Sequence, residues 1–345
     1  MKQLNLSRLA FMLVLSFILV PSMALAADKS SPQHPVTEIK IYSFIKGTSV
    51  YALSFALTDL LSKHSTWLRA TAISTHGSGQ NIKTLAMKPE LRNHSIAFSP
   101  AVIPYRVMKG KEPFDKPWTT IRALLKLSGA SNAFITLDPN IKKPEDLRGK
   151  KIGLPRKGTD GEYYAVNILK YGWGITEKDA VFQFLGWEES RDALRDGLVD
   201  AAYMLTGSSS SAPWIMVPAF QELVATKPPY FIDISKETIS KATKATGDPI
   251  DWVKAPPKVY GPNQTEPTGV AALQLCFWAD ASLPSAVVKE LLRIFTDHNQ
   301  EFGKYHPSGR LIKVQELGSI NWPAELFHPA AIEFYKERNI PIGLK

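Results

Sequence analysis

Short apolar runs alternate with amphipathic stretches along the chain, and this alternation constrains its fold more than any other feature. Residues 39–44 read as a strand, 51–63 as a helix with Leu53, Ala56, Leu57, Leu60 and Leu61 on one face, 68–73 as a strand, 81–87 as a helix and 95–98 as a strand. A second series follows, with strands at 132–137, 151–154, 181–185 and 200–205 and helices at 163–171 and 188–195. Strand, helix, strand order builds a parallel sheet covered by helices. The expectation is therefore an α/β protein of two lobes. The proline-rich segment 254–268 reads as a connector, 270–277 as a returning strand, 284–302 as a long helix opened by Pro284, and 330–338 as a last helix behind His328 and Pro329.

The first residues read differently. Lys2 and Arg8 precede or flank an apolar run over 9–20 broken only by Ser16, and Ala24-Leu25-Ala26 is a small-x-small cleavage site. That run falls short of the roughly 20 residues a membrane span needs. Residues 1–26 are thus expected to be a cleaved signal peptide and the protein to be periplasmic. The division that follows is 27–130 for the N-terminal part of lobe 1, 131–255 for lobe 2, and 256–345 for the return connector, the completion of lobe 1 and the C-terminal helices. The lone cysteine, Cys276, sits in the apolar run 273–278, reads as a buried small hydrophobe, and has no partner for an intramolecular disulfide.

The formal net charge of +9 is spread among acids, with no basic stripe carrying interleaved aromatics. That excludes a nucleic-acid face and leaves a surface that favours encounter with small anions. No Gly-x-Ser-x-Gly elbow, P-loop or zinc spacing is present, so no catalytic residue, cofactor or metal site is expected. His64, His76, His94, His298, His306 and His328 include no i, i+4 pair.

Three loops place small hydrogen-bonding residues between a strand end and a helix start, where ligands sit in open α/β sheets. They are residues 46–51, 74–81 and 155–161. A helix start carries unpaired amides and partial positive charge that suit a carboxylate. Each residue also has a second reading, as a helix cap or turn former.

These segments carry a family resemblance. Thr75-His76-Gly77-Ser78-Gly79-Gln80-Asn81 resembles the T-G-G-S-x-x-N segment of the TAXI family, the solute receptors of one class of TRAP transporters. Residues 146–153 with Gly158-Thr159 are similar to that family's D-L-x-G-K stretch with its following S-G-T. Residues 194–202 resemble its A-L-x-D-G-x-I-D-A, and 328–337 its terminal H-P-G-A-I-x-Y-Y-K-E helix. The chain departs from the pattern at His76, at Arg156 and Lys157 before Gly158, and in the serine run after Gly207.

The resemblance implies a two-lobed type II periplasmic binding protein fold, each lobe a mostly parallel sheet flanked by helices, with the ligand cleft between them. It implies a monomer that captures a dicarboxylate, 2-oxo acid or acidic amino acid by hinge closure and hands it to TRAP permease subunits. The expected contacts are Thr48, Ser49, Tyr51, Thr75, His76, Ser78, Asn81 and Ser99 from one lobe, and Lys157, Gly158, Thr159, Trp187 and Gly207 from the other. Arg156 and Lys157 suit a dianion or a solvated surface equally well. A periplasmic sensor that presents its closed form to a signalling partner is the alternative, since one fold serves both uses.

Overall fold

Ile39 and Ile41 turn inward and Glu38 and Lys40 outward along β1 (Thr37–Tyr42), the alternation of a half-buried strand. The computed structural model that shows this describes residues 35–208 and 214–343, so the expected signal segment lies outside the described residues. Residues 36–345 form one compact unit. Helix α1 (Ser49–His64) buries Val50, Leu53, Ala56, Leu57, Leu60 and Leu61 at the three- and four-residue spacing that puts them on one stripe. Strand β2 (Leu68–Ile73) pairs parallel with β1 on one side, and β3 (Ser95–Ser99) pairs parallel with it on the other. Between them run α2 (Ser78–Met87) and, after β3, α3 (Val102–Met108).

The second parallel set is β5 (Lys151–Leu154), β6 (Val181–Phe184) and β7 (Ala201–Ser208), with β5 in the middle. Helices α4 (Asp160–Asn167) and α5 (Trp187–Arg195) follow β5 and β6. Two long antiparallel strands join the sets. Strand β4 (Ile121–Thr136) has 16 residues, roughly 50 Å of chain, and pairs from Ile121 to Asn132 with β10 (Thr268–Asp280). The lower end of β10 pairs with β3 and the upper end of β4 with β7, giving the sheet order β2-β1-β3-β10-β4-β7-β5-β6. Register shifts fall between Leu275 and Cys276, between Phe277 and Trp278, and at Ser131/Asn132, where the pairing passes from one set to the other. The short strands β8 (Tyr230–Ile232) and β9 (Asp251–Ala255) flank this crossing on β4 and β10.

Around them lie α6 (Pro218–Thr226), α7 (Lys236–Thr246), α8 (Ser285–Asp297) and α9 (Pro329–Glu337). The expected α/β class is what forms, a mixed sheet flanked by helices. Three local expectations are corrected. The strand expected from 132 begins at Ile121, because Arg122 and Lys126 sit inside an otherwise buried strand and interrupt its apolar reading. The helix expected over 284–302 ends at Asp297, and a 3-10 turn, Asn299–Lys304, takes over. The helix expected over 163–171 starts earlier, at Asp160, and passes into a π-turn over Ile168–Gly172.

Trp278, Phe277 and Phe295 are fully buried in the core over the β3–β10 corner, and the Trp278 indole donates to Ser99 O at 2.7 Å. Cys276 is buried as expected, and burial pushes its thiol well above the ordinary range. Among the described residues no helix is long and apolar enough to cross a membrane.

Candidate functional site

The second loop enters α2 through Gly77, whose φ of +136° is open to glycine and whose Cα faces the Phe44 ring, leaving 3.1 Å to an added Cβ. Thr75 fixes this entry. Its hydroxyl donates to Ser43 O (3.0 Å) and accepts from Gly77 N (3.3 Å). Asn81, fully buried, donates through Nδ2 to Tyr42 O (3.2 Å), Ser43 O (2.5 Å) and Phe98 O (2.9 Å), tying the helix to the ends of β1 and β3. No side chain caps α2, so its first amides point outward.

Residues of the other parallel set face this helix start. Ser78 Oγ, at the first position of α2, donates to Asp160 Oδ1 at the first position of α4 (2.5 Å). Gly79 lies so close to Gly158 that a Cβ there would stand 2.5 Å from Gly158 O. The start of α4, by contrast, closes on itself. Thr159 Oγ1 accepts from Glu162 N (3.4 Å) and donates to Arg156 O (2.6 Å), while Gly158 N donates to Glu162 Oε2 (2.5 Å). Asp160 is half-covered as a residue, yet its carboxyl is enclosed, and burial raises its pKa against the lowering pull of the Ser78 hydroxyl.

Behind Asp160 the site has an aromatic wall and unanswered polar atoms. Trp187 opens α5 after Gly186 (φ +121°), lies over Gly161, and stands 6.2 Å from the Tyr203 ring. The Tyr203 hydroxyl is buried beside Asn132 and Asp160, and burial raises its pKa. Neither that hydroxyl nor either side-chain atom of Asn132 makes a well-formed hydrogen bond. The two side chains answer each other only in part, which leaves donor and acceptor capacity that a bound molecule or water can take. Asn132 stands at the register shift between β4 and β7.

A second contact joins the two parallel sets. Arg106 on α3 lies 2.6 Å from Asp248, which has no exposed surface and also accepts from Asn167 Nδ2 (2.9 Å). The Arg106 guanidinium stacks 3.9 Å from the centre of the Tyr163 ring.

Of the expected contacts, the structure brings Ser78 against Asp160, the residue after Gly158 and Thr159, with Trp187 covering Gly161 beyond it. Thr48 is the N-cap of α1, accepting from Tyr51 N (3.3 Å) and donating to Ile45 O (2.7 Å); Ser49 and Tyr51 follow half-exposed. His76 is exposed, its amide bonded to Gln80 Oε1. Ser99 is buried and donates to Pro100 O. Gly207 admits the Ile215–Met216 backbone, since an added Cβ would lie 2.2 Å from Ile215 O. Arg156, two-thirds exposed, pairs with Glu189, and Lys157 Nζ sits 4.8 Å over the Phe184 ring. The serine run after Ser208 lies outside the described residues. The residues not foreseen are Asp160, Asn132 and Tyr203. Asn132 had a signal, as an amide inside an apolar run, and Thr159-Asp160-Gly161-Glu162 spells a capping box with Asp160 set inside it. A wider surface hollow of about 680 Å³, lined by Tyr230, Asp233, Asn263 and Thr268 among others, shares no residue with this set.

Residues 46–338 match the model of the NMT1-like family. PhnD1 from Prochlorococcus marinus, solved with methylphosphonate, is similar in structure with a TM-score of 0.51 and 10% identity, over 88% of this chain and 99% of that one. The periplasmic aliphatic sulphonate binding protein SsuA from Escherichia coli gives a TM-score of 0.48 and 14% identity, over 88% and 94%. The chain thus shares the fold of PhnD1.

Proposed function

The chain belongs to the NMT1-like family, and we propose from that premise that it is an exported solute receptor. It captures a small organic acid by closure of two lobes and delivers it to a membrane permease. The lobes are the two parallel sets of strands, and the fulcrum is the β4–β10 pair with its register shifts. The observation that carries this reading is the Ser78–Asp160 hydrogen bond between helix starts of opposite sets, in front of Asn132 and Tyr203, whose buried polar atoms make no well-formed hydrogen bond. A ligand stabilises a closed form only by binding it better than the open form, which requires groups from both sides. The start of α2 offers amides and the Ser78 hydroxyl from one side. Asp160, Tyr203 and Trp187 offer acid, hydroxyl and aromatic surface from the other.

Among a dicarboxylate, a 2-oxo acid and an acidic amino acid, the enclosed Asp160 favours the last, whose ammonium group would pair with that carboxylate while a carboxylate takes the α2 amides. Arg156 and Lys157, held by Glu189 and Phe184, are not needed for this arrangement. PhnD1 with its methylphosphonate supports the view that the fold can enclose a small anion.

The TAXI-like segments at 75–81, 146–159, 194–202 and 328–337 support a TRAP permease as the recipient. Titration calorimetry of the ligand-free chain against dicarboxylates, 2-oxo acids, acidic amino acids and neutral sugars tests the ligand, with an affinity near micromolar, about −8 kcal/mol, expected for an acidic amino acid. Binding of neutral sugars alone would overturn it. Uptake into vesicles carrying the permease tests delivery: transport driven by an ion gradient without ATP is expected, and a strict ATP requirement refutes the TRAP assignment.

A further inference from the structure

Two imidazoles and a carboxylate that lie far apart in the sequence meet where α1 ends against the chain leaving α8. His64 is the last residue of α1, His298 is the C-cap of α8, and Glu301 lies in the 3-10 turn Asn299–Lys304. Their ligating atoms all fall within 4.8 Å of one another. Glu301 Oε1 stands 3.0 Å from His64 Nε2 and 3.1 Å from His298 Nδ1, and the two rings stack with centroids 3.6 Å apart. His64 Nε2 is itself buried and has no well-formed hydrogen bond.

We propose that His64, His298 and Glu301 form a binding site for a divalent transition-metal ion of the zinc class, separate from the solute site. The donor set decides the class. Two imidazole nitrogens and one carboxylate oxygen suit zinc, whereas calcium and magnesium take oxygen donors. The spacing also fits. A tetrahedron with bonds of about 2.0–2.1 Å has edges of roughly 3.3 Å, close to the 3.0 and 3.1 Å that separate Glu301 Oε1 from His64 Nε2 and His298 Nδ1. The stacked rings hold their lone pairs in nearly parallel planes, so binding an ion requires both rings to swing out of the stack, and the partial exposure of all three side chains (29, 22 and 27%) gives them room to do so and leaves a fourth position to water.

The backbone under these donors is anchored. Arg293 Nη2 donates to His64 O (2.7 Å), His298 N to Ile294 O (3.1 Å), and Glu301 N to His298 O (3.0 Å). The cations close by carry their own acids, Lys63 with Asp59 and Arg293 with Glu290. Lys304 is the competitor, 3.3 Å from Glu301 Oε2 on a well-exposed side chain free to move away. A bound ion would staple the end of α1 to the segment after α8.

The test is calorimetric titration of the untagged, chelator-treated chain with zinc chloride at about pH 7.5, where imidazole is mostly neutral. One ion per chain is expected, with a rise in melting temperature. His64→Gln and His298→Gln should each weaken binding by about 100-fold or more, beyond the 10- to 100-fold typical of outer-shell changes. Lys304→Ala should tighten it, and cobalt in place of zinc should give the visible absorption of a tetrahedral ion. The proposal fails if zinc binding is not saturable at one ion per chain, or if binding survives unchanged in both histidine variants. Should those variants not fold, an unchanged zinc affinity in Lys304→Ala together with a cobalt spectrum of octahedral type refutes it.

Discussion

Asp160 is under two opposed influences. Burial favours its neutral form and the Ser78 hydroxyl its charged form, with burial the stronger. A carboxyl whose pKa is raised by folding binds its proton more tightly in the native state. Its contribution is therefore present below the ordinary aspartate range and is lost as pH rises through the raised value. Asp160→Asn is expected to flatten that decline in a series of melting temperatures against pH, and to abolish closure on an amine-bearing ligand. Ser78→Ala removes the hydrogen bond to Asp160, about 1 kcal/mol, so on the proposed reading calorimetry should show affinity weakened roughly fivefold with little change in melting temperature. That Ser78 belongs to the candidate site was read from the second loop. The place of Asp160 was not, because one carboxylate in a helix-start segment looks like any first-turn acid.

At the scale of elements, helix starts account for most of the motifs in the sequence. His328 caps α9 by accepting from Ala330 N at 3.2 Å, while Nε2 donates to Leu283 O at 3.0 Å. The first bond is local and readable from His-Pro at a helix start. The second reaches back 45 residues and is not. Burial lowers the His328 pKa, so the unfolded chain takes up the proton first, and this group's contribution is lost as pH falls below about 6.5 toward the lowered value. His328→Ala should cost about 1–2 kcal/mol, a few degrees of melting temperature, and should flatten the acid side of the stability profile. The same logic explains Gly158 and Thr159. Read as amides for a ligand, they close on Glu162 instead, since a helix start satisfies its own donors when the sequence offers a capping box.

At the scale of the whole molecule the question is what holds the two strand sets together. Gly79 is the contact that an added methyl group would block, at 2.5 Å from Gly158 O. Alanine suits a helix better than glycine by about 1 kcal/mol, so Gly79→Ala should leave α2 intact or firmer while holding the halves apart. Scattering should then report a larger radius of gyration in the presence of ligand, and an unchanged radius would rule this contact out of closure. Arg106→Ala leaves the buried Asp248 without its ion partner, a loss of about 3–5 kcal/mol that a melting curve would register. The α/β class and most elements were set by the sequence alone, because hydrophobic period, glycine and capping residues act over a few neighbouring positions. Only the tertiary structure decided that one pair of long strands is shared by both halves. It also decided that Asp160, Asn132 and Tyr203 converge, and that His64 meets His298 and Glu301. Those pairings join residues tens to hundreds of positions apart, and no local pattern records a distance that exists only after the chain has packed.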